Sequence, residues 1–335
     1  MMPRAFSDYR FWLLLGALCL ALWACLRPQW RLERARAQVL FVVDITRSMN
    51  VRDYAAGAQQ RSRLEQAKDT VTQALARMPC GSRAGLGVFT ERRSFLLLEP
   101  METCANYAAL SQTVAELNWR MAWEGDSRIA SGLFGALELA DTLGANLVFV
   151  TDGQEAPPLP ASGRPQFEGE PGKVRGLLVG AGGHTPAPIP AYDDDGHEKG
   201  FLGPDDVEQE NRSGQPPADA TQREGWHPRN APFGAAPPSG NEHLSAVRDT
   251  YLMSLAAATG LSYLPLGDAA GMLAAIDQHA EGRLEPTPLD LRPYIALAAC
   301  LLLALLYGLA LLAPGPFRPG PRRGKLAAAR DPGDH

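Results

Sequence analysis

The stretch that most limits what this chain can become is its last apolar run, PYIALAACLLLALLYGLALLA at 293–313, twenty-one residues without a charge. The hydrocarbon core of a bilayer is about 30 Å thick and takes roughly 20 helical residues to cross, so the run reads as a transmembrane helix. A second run, FWLLLGALCLALWACL at 11–26, has sixteen uncharged residues. It is slightly short for a span, but Trp12, Trp23 and Trp30 suit a membrane interface. A signal peptide with Arg4 and Arg10 as its basic start is the rival reading, and against it no small-x-small cleavage site precedes Trp23 and the arginines after it. The expectation is a retained anchor over residues 1–30 and a second span at 293–313. Both termini then lie on one side of the membrane. The basic segment FRPGPRRGKLAAAR within the tail at 314–335 places that side in the cytoplasm and the domain between the spans in the periplasm of a bacterial inner membrane. Arg27, Arg31, Arg34 and Arg36 follow the first span and nearly balance the count.

Between the two runs there is enough chain, in a sequence of 335 residues that is 45% hydrophobic, for one sizeable core. A net charge of −5 with no basic face sets nucleic acid aside as a partner. Cys19, Cys25 and Cys300 fall inside the apolar runs and read as small packing residues. Cys80 and Cys104 bracket two strand-like runs, AGLGVFT (84–90) and SFLLLEP (94–100), joined by Glu91-Arg92-Arg93. In a hairpin the residues just before and just after the two strands come side by side. A disulfide there, favoured over two free thiols, fits an oxidising compartment.

The rest alternates. QVLFVVDIT is a buried strand, 61–78 a helix with Leu64, Ala67, Val71, Ala74 and Leu75 on one face, then come the hairpin and helices at 106–118 and 127–143. NLVFVTDG (146–153) and VRGLLVGAGG (174–183) are strands, 243–260 a helix and LSYLPL a last strand. Such an order predicts a doubly wound α/β fold, a mostly parallel sheet covered by helices on both faces. Ligands bind such sheets beyond the carboxyl ends of the strands. Asp44, Thr46 and Ser48 leave the end of the first strand and Asp152 that of NLVFVTD, and Ser127 opens a helix at the same edge. If those strands are neighbours, two carboxylates and three hydroxyls converge without His or Cys. This hard, oxygen-only set suits Mg²⁺, or Ca²⁺ or Mn²⁺, rather than zinc.

These residues resemble a von Willebrand factor A domain with its metal-ion-dependent adhesion site. That family shows Asp-x-Ser/Thr-x-Ser, a separate Thr, and an Asp in a TDG turn. Asp44-x-Thr46-x-Ser48 and Thr151-Asp152-Gly153 match the outer elements, and Ser127, two residues before Ile129, stands where the family has Thr, with Asp126 beside it as the alternative. The resemblance runs over about residues 37–280. It implies that Thr46, Ser48 and Ser127 touch the metal, that Asp44 and Asp152 act mostly through water, and that a partner protein's carboxylate completes the shell. Bacterial proteins with this domain between terminal helices are similar. FVVDITRSMNVRDY and NWRMAWEGDSRIASGL look most like the accessory proteins encoded with periplasmic methanol dehydrogenase, the MxaL and MxaC kind, which implies a role in maturing that quinoprotein or inserting its Ca²⁺. The alternative is the Bat type, an envelope protein working with a MoxR-like AAA+ ATPase.

An insertion at about 184–242, rich in Pro, Gly and charge, interrupts the match. AYDDDGHEKG within it is no calcium-binding helix-loop-helix: with Gly196 in the glycine position, Ala191 falls where the first acidic ligand belongs and Leu202 where the bidentate Glu belongs. A solvated hairpin is expected there, and a flexible loop after it. No Gly-x-Ser-x-Gly, Cys-His pair or HExxH is present, so a non-enzymatic protein is expected.

Overall fold

A computed structural model describes residues 8–26, 28–56, 59–122, 125–235, 240–280 and 282–312. It divides into two compact units, one of residues 33–285 and one of residues 1–32 with 286–335. The basic tail lies outside the described residues, as do Arg4 and Arg27.

The main sheet has the strands β1 (Gln29–Asp44), β2 (Arg83–Thr90), β3 (Arg93–Glu102), β4 (Asn146–Thr151), β5 (Gly176–Gly180), β6 (Ser262–Pro265) and β7 (Gly282–Asp290). Six of them run in the order β6-β5-β4-β1-β2-β3, and β7 pairs with β1. All neighbours along that path are parallel except β2 and β3, the expected hairpin. Cys80 and Cys104 are disulfide-bonded across its open end, with Cα atoms 5.2 Å apart.

The α-helices are α1 (Tyr9–Cys25), α2 (Arg63–Arg77), α3 (Tyr107–Glu116), α4 (Ile129–Leu143), α5 (Asp249–Thr259), α6 (Ala269–His279) and α7 (Arg292–Leu312). The two-residue period of a strand divides β1 between two cores. Val39, Phe41 and Val43 meet α2, α3 and α6, while Leu40 and Val42 meet α4 and α5. Each such side chain, fully buried, contributes about 1.5–3 kcal/mol. Helix α2 starts where Ser62 accepts the Glu65 N–H at 3.1 Å and the Glu65 carboxylate accepts the Ser62 N–H at 2.8 Å, a reciprocal cap.

Three elements differ from expectation. Helix α5 begins at Asp249 rather than at 243, because Leu244–Ser245 pairs with Ala187–Pro188 and the Arg248 N–H donates to the Asp152 carbonyl at 2.9 Å. Helix α6, capped by Asp268 accepting the Gly271 N–H at 3.0 Å, was not anticipated, nor was β7. The insertion does form the expected hairpin, Pro190–Tyr192 against Glu198–Phe201. The segment expected to be a loop carries a short 3-10 turn at Ala220–Gln222 and a bridge between His227 and Ala231.

In the smaller unit, α7 is the one helix among the described residues long and apolar enough to cross a membrane, over Arg292–Leu311. At seventeen residues α1 spans about 25 Å, short of the hydrocarbon core. It packs along α7, with Gly16 against Leu302. Cys19, Cys25 and Cys300 are unpaired and exposed on the helix surfaces rather than packed between them.

Candidate metal centre

Parallel pairing of β1 with β4 sets Val43 opposite Val150, so both chains end at the same edge and Asp44 meets Thr151. Asp44 is fully buried there. Its Oδ1 accepts the Thr46 N–H at 2.8 Å and the Thr46 hydroxyl at 2.7 Å, and its Oδ2 accepts the Thr151 hydroxyl at 2.6 Å. This is how a short acidic side chain folds the backbone two residues on back over itself. Thr46 Oγ1 comes to 3.4 Å from Ser48 Oγ, and Thr46 stands at the N-cap of a 3-10 turn over Arg47–Asn50. Just past β4, Asp152 Oδ1 accepts the Gln154 N–H at 3.0 Å. Gly153 between them holds φ +78°, and a Cβ there would lie 2.9 Å from Leu252 Cγ, so the turn needs glycine.

Asp152 has a partner that the sequence reading missed. Arg63, the first residue of α2, is wholly buried and donates from Nη1 to Asp152 Oδ2 at 2.7 Å. Nη2 and Nε reach Asp53 Oδ2 at 2.7 and 2.9 Å, and Ser245 accepts at its hydroxyl, 2.6 Å, and its carbonyl, 3.0 Å. The five donors of the guanidinium are thus met by two carboxylates and one serine, which lets a charge sit without water. A Cβ on Gly182 would fall 2.6 Å from Arg63 Nε, so the seat also depends on glycine. The available signal was the helix stripe itself: position 63 lies four residues before Ala67 and eight before Val71, on the apolar face.

Ser127 precedes α4 instead of opening it, and its backbone is pinned from two sides. Its N–H donates to the Ala156 carbonyl at 2.6 Å and its carbonyl accepts the Ala156 N–H at 2.8 Å, while the Arg128 N–H reaches the Glu91 carbonyl at 2.5 Å. The Ser127 side chain is 3% exposed, and its Oγ has no hydrogen-bond partner among the described residues. It lines a cavity of about 180 Å³ together with Thr46, Ser48 and Gln154, and with Leu202, Asp206, Glu208 and Glu242 of the insertion region. Asp126, the other candidate for the middle position, also borders this cavity, but its carboxylate lies 3.7 Å from Arg128 Nε and 4.0 Å from Arg92 Nη2.

Burial, and after it the charge of Asp152, pushes the Asp44 carboxyl up to about 7 against the pull of its Thr151 and Thr46 hydrogen bonds. A hard cation at this edge relieves that penalty. The donor set of carboxylates, hydroxyls and an unpaired Ser127 oxygen fits such an ion. Beyond Thr46 and Arg47 a larger cleft of about 750 Å³ continues past Trp119, Arg120, Tyr192 and Lys199, with Trp119 stacked on Tyr192 at 4.5 Å. Elsewhere, Asp193, Asp195 and His197 bring ligand atoms within 4.8 Å of one another on the exposed hairpin turn.

Against known proteins, residues 39–154 match the family model described as von Willebrand factor type A domain. No curated protein matches the sequence. Among solved structures the chain is similar to an aerotolerance-related membrane protein from Bacteroides fragilis carrying multiple mutations to serines, at 18% identity and TM-score 0.43, covering 72% of this chain and 97% of that one. It is also similar to an uncharacterized membrane spanning protein from Vibrio fischeri, at 16% identity and TM-score 0.27, covering 72% and 97%. A von Willebrand factor type A protein from Catenulispora acidiphila follows at 14% identity and TM-score 0.33, covering 78% and 42%. Identities this low transfer no function. The strand ends, the Asp-x-Thr-x-Ser turn and the Thr-Asp-Gly turn all fall inside the matched segment, and the chain therefore carries a von Willebrand factor type A domain across residues 39–154.

Proposed function

We propose that this chain is a membrane-tethered, non-enzymatic adhesion protein that binds a partner protein through a metal ion at the sheet edge. The observation that carries the reading is the buried Ser127 hydroxyl, without a partner among the described residues, on a residue that lines one cavity with Ser48 and with Thr46, whose hydroxyl donates to Asp44. Thr46, Ser48 and Ser127 are the direct ligands, and Asp44 and Asp152 hold water molecules of the shell. Mg²⁺ is the favoured ion, with Ca²⁺ and Mn²⁺ as the alternatives. When bound, the cation supplies an open coordination position that a partner's carboxylate fills. Asp206 and Glu208 at the cavity, beside Asp126 and Glu242 that are partly offset by Arg128 and Arg248, would otherwise repel that carboxylate, which makes binding depend on the metal.

The tether is α7, with α1 as a second anchor packed along it. The Cys80–Cys104 bridge supports a periplasmic domain. The client we favour is a periplasmic quinoprotein dehydrogenase of the methanol-oxidising kind or one of its assembly proteins, whose maturation or Ca²⁺ loading the chain assists. Deleting the gene and restoring it with Ser48→Ala tests this. Dehydrogenase polypeptide is expected to persist in both strains, inactive and low in Ca²⁺. A fully active, Ca²⁺-replete enzyme in the deletion strain would move the reading to the Bat-type envelope role with a MoxR-like ATPase.

A further inference from the structure

Gln154 follows the Thr-Asp-Gly turn, and nothing above assigns its side chain. It is 4% exposed, and Nε2 donates to the Glu242 carbonyl at 3.0 Å and the Leu244 carbonyl at 3.4 Å. Those acceptors settle which end of the amide is which, since a flip would set Oε1 against two carbonyl oxygens. Oε1 is buried and has no donor among the described residues. Leaving such an oxygen dry and unpaired costs about 1–3 kcal/mol. Gln154 and Ser127 line the same cavity as Thr46 and Ser48, and each carries a buried side-chain oxygen without a partner among the described residues.

We infer that the Gln154 side-chain oxygen is a further, neutral ligand of the cation at this edge. The inference rests on the metal-centre reading above and extends it. Gln154 carries no charge, so it raises the ligand count without adding repulsion beside Asp44 and Asp152. Because its amide hangs from the backbone at Glu242 and Leu244, the closing end of the insertion sets where that oxygen lies.

The test is Mn²⁺ binding to the full chain in detergent micelles, read by electron paramagnetic resonance, for the wild type and Thr46→Ala, Gln154→Ala, Gln154→Met and Gln154→Glu. Removing a ligand or its support typically costs 10–100-fold in metal affinity, so Gln154→Ala and Gln154→Met should each weaken Mn²⁺ about tenfold or more. Gln154→Glu keeps an oxygen and loses both N–H donors, so it should bind at least as tightly as wild type. If Gln154→Glu loses affinity as Gln154→Ala does, the side chain only fastens the insertion and the inference fails. Unchanged affinity in Gln154→Ala and Gln154→Met, with Thr46→Ala still abolishing binding, overturns the inference and leaves the centre standing. No Mn²⁺ bound by wild type overturns both.

Discussion

Arg63 Nη1 lies 2.7 Å from Asp152 Oδ2, and neither side chain is exposed to solvent. The pair fastens the start of α2 to the end of β4, and Asp53 and Ser245 take the arginine's remaining donors. Asp152 is therefore compensated from inside the protein as well as standing at the site, and it cannot be removed as a ligand alone.

Asp152→Ala should cost about 3–5 kcal/mol, because it leaves a buried guanidinium short of a carboxylate. Ser48→Ala, which deletes one small hydroxyl at the cavity, should cost about 1 kcal/mol or less. Urea unfolding followed by circular dichroism separates them, and an Asp152→Ala protein as stable as wild type would refute the role given to Arg63. For the same reason the hydroxyl variants are the clean probes of metal binding.

Metal uptake should be linked to a proton. The folded-state pKa of Asp44 is raised from 3.8 to about 7, so the metal-free native state holds a proton that the unfolded chain releases. This group's contribution to metal-free stability then declines as pH rises through that window. A cation must displace the proton, so affinity should climb with pH below about 7 and level off above it. Titration calorimetry in buffers of different ionisation enthalpy would show proton release near pH 6. A flat affinity across the window would mean that Asp44 is already ionised without metal.

The disulfide closes a loop with a sequence separation of 24. Replacing Cys80 and Cys104 together by Ser should lower stability by about 3.5 kcal/mol on the loop-entropy account. In whole cells the native cysteine pair should resist a maleimide until a reductant is added. Labelling of Cys80 or Cys104 without reductant, in a chain whose Cys19, Cys25 and Cys300 are replaced by Ser, would place the domain in a reducing compartment and overturn the periplasmic reading.

Much of the edge was legible because the signals were local. Asp44, Thr46 and Ser48 sit at alternate positions after an apolar strand, and Gly153 marks the turn at Asp152. The hairpin placed Cys80 beside Cys104 from strand lengths alone. Arg63 and Gln154 were illegible for the opposite reason, since their partners Asp152, Ser245, Glu242 and Leu244 come from far along the chain or from the far end of an insertion. Composition marked that insertion as solvated, and much of it is exposed, yet Leu202, Asp206 and Glu208 line the same cavity as Ser127. The start of α5 was misplaced because 243–248 reads as helix until Leu244–Ser245 finds Ala187–Pro188.

The most direct measurement is anomalous diffraction from crystals of the full chain soaked in Mn²⁺. The account predicts a peak at the end of β1, about 2.0–2.3 Å from Thr46 Oγ1 and Ser48 Oγ and within the same shell as Ser127 Oγ. A crystal with no peak there, or with one only at the exposed Asp193, Asp195 and His197 turn, would contradict a metal-dependent adhesion edge in this domain.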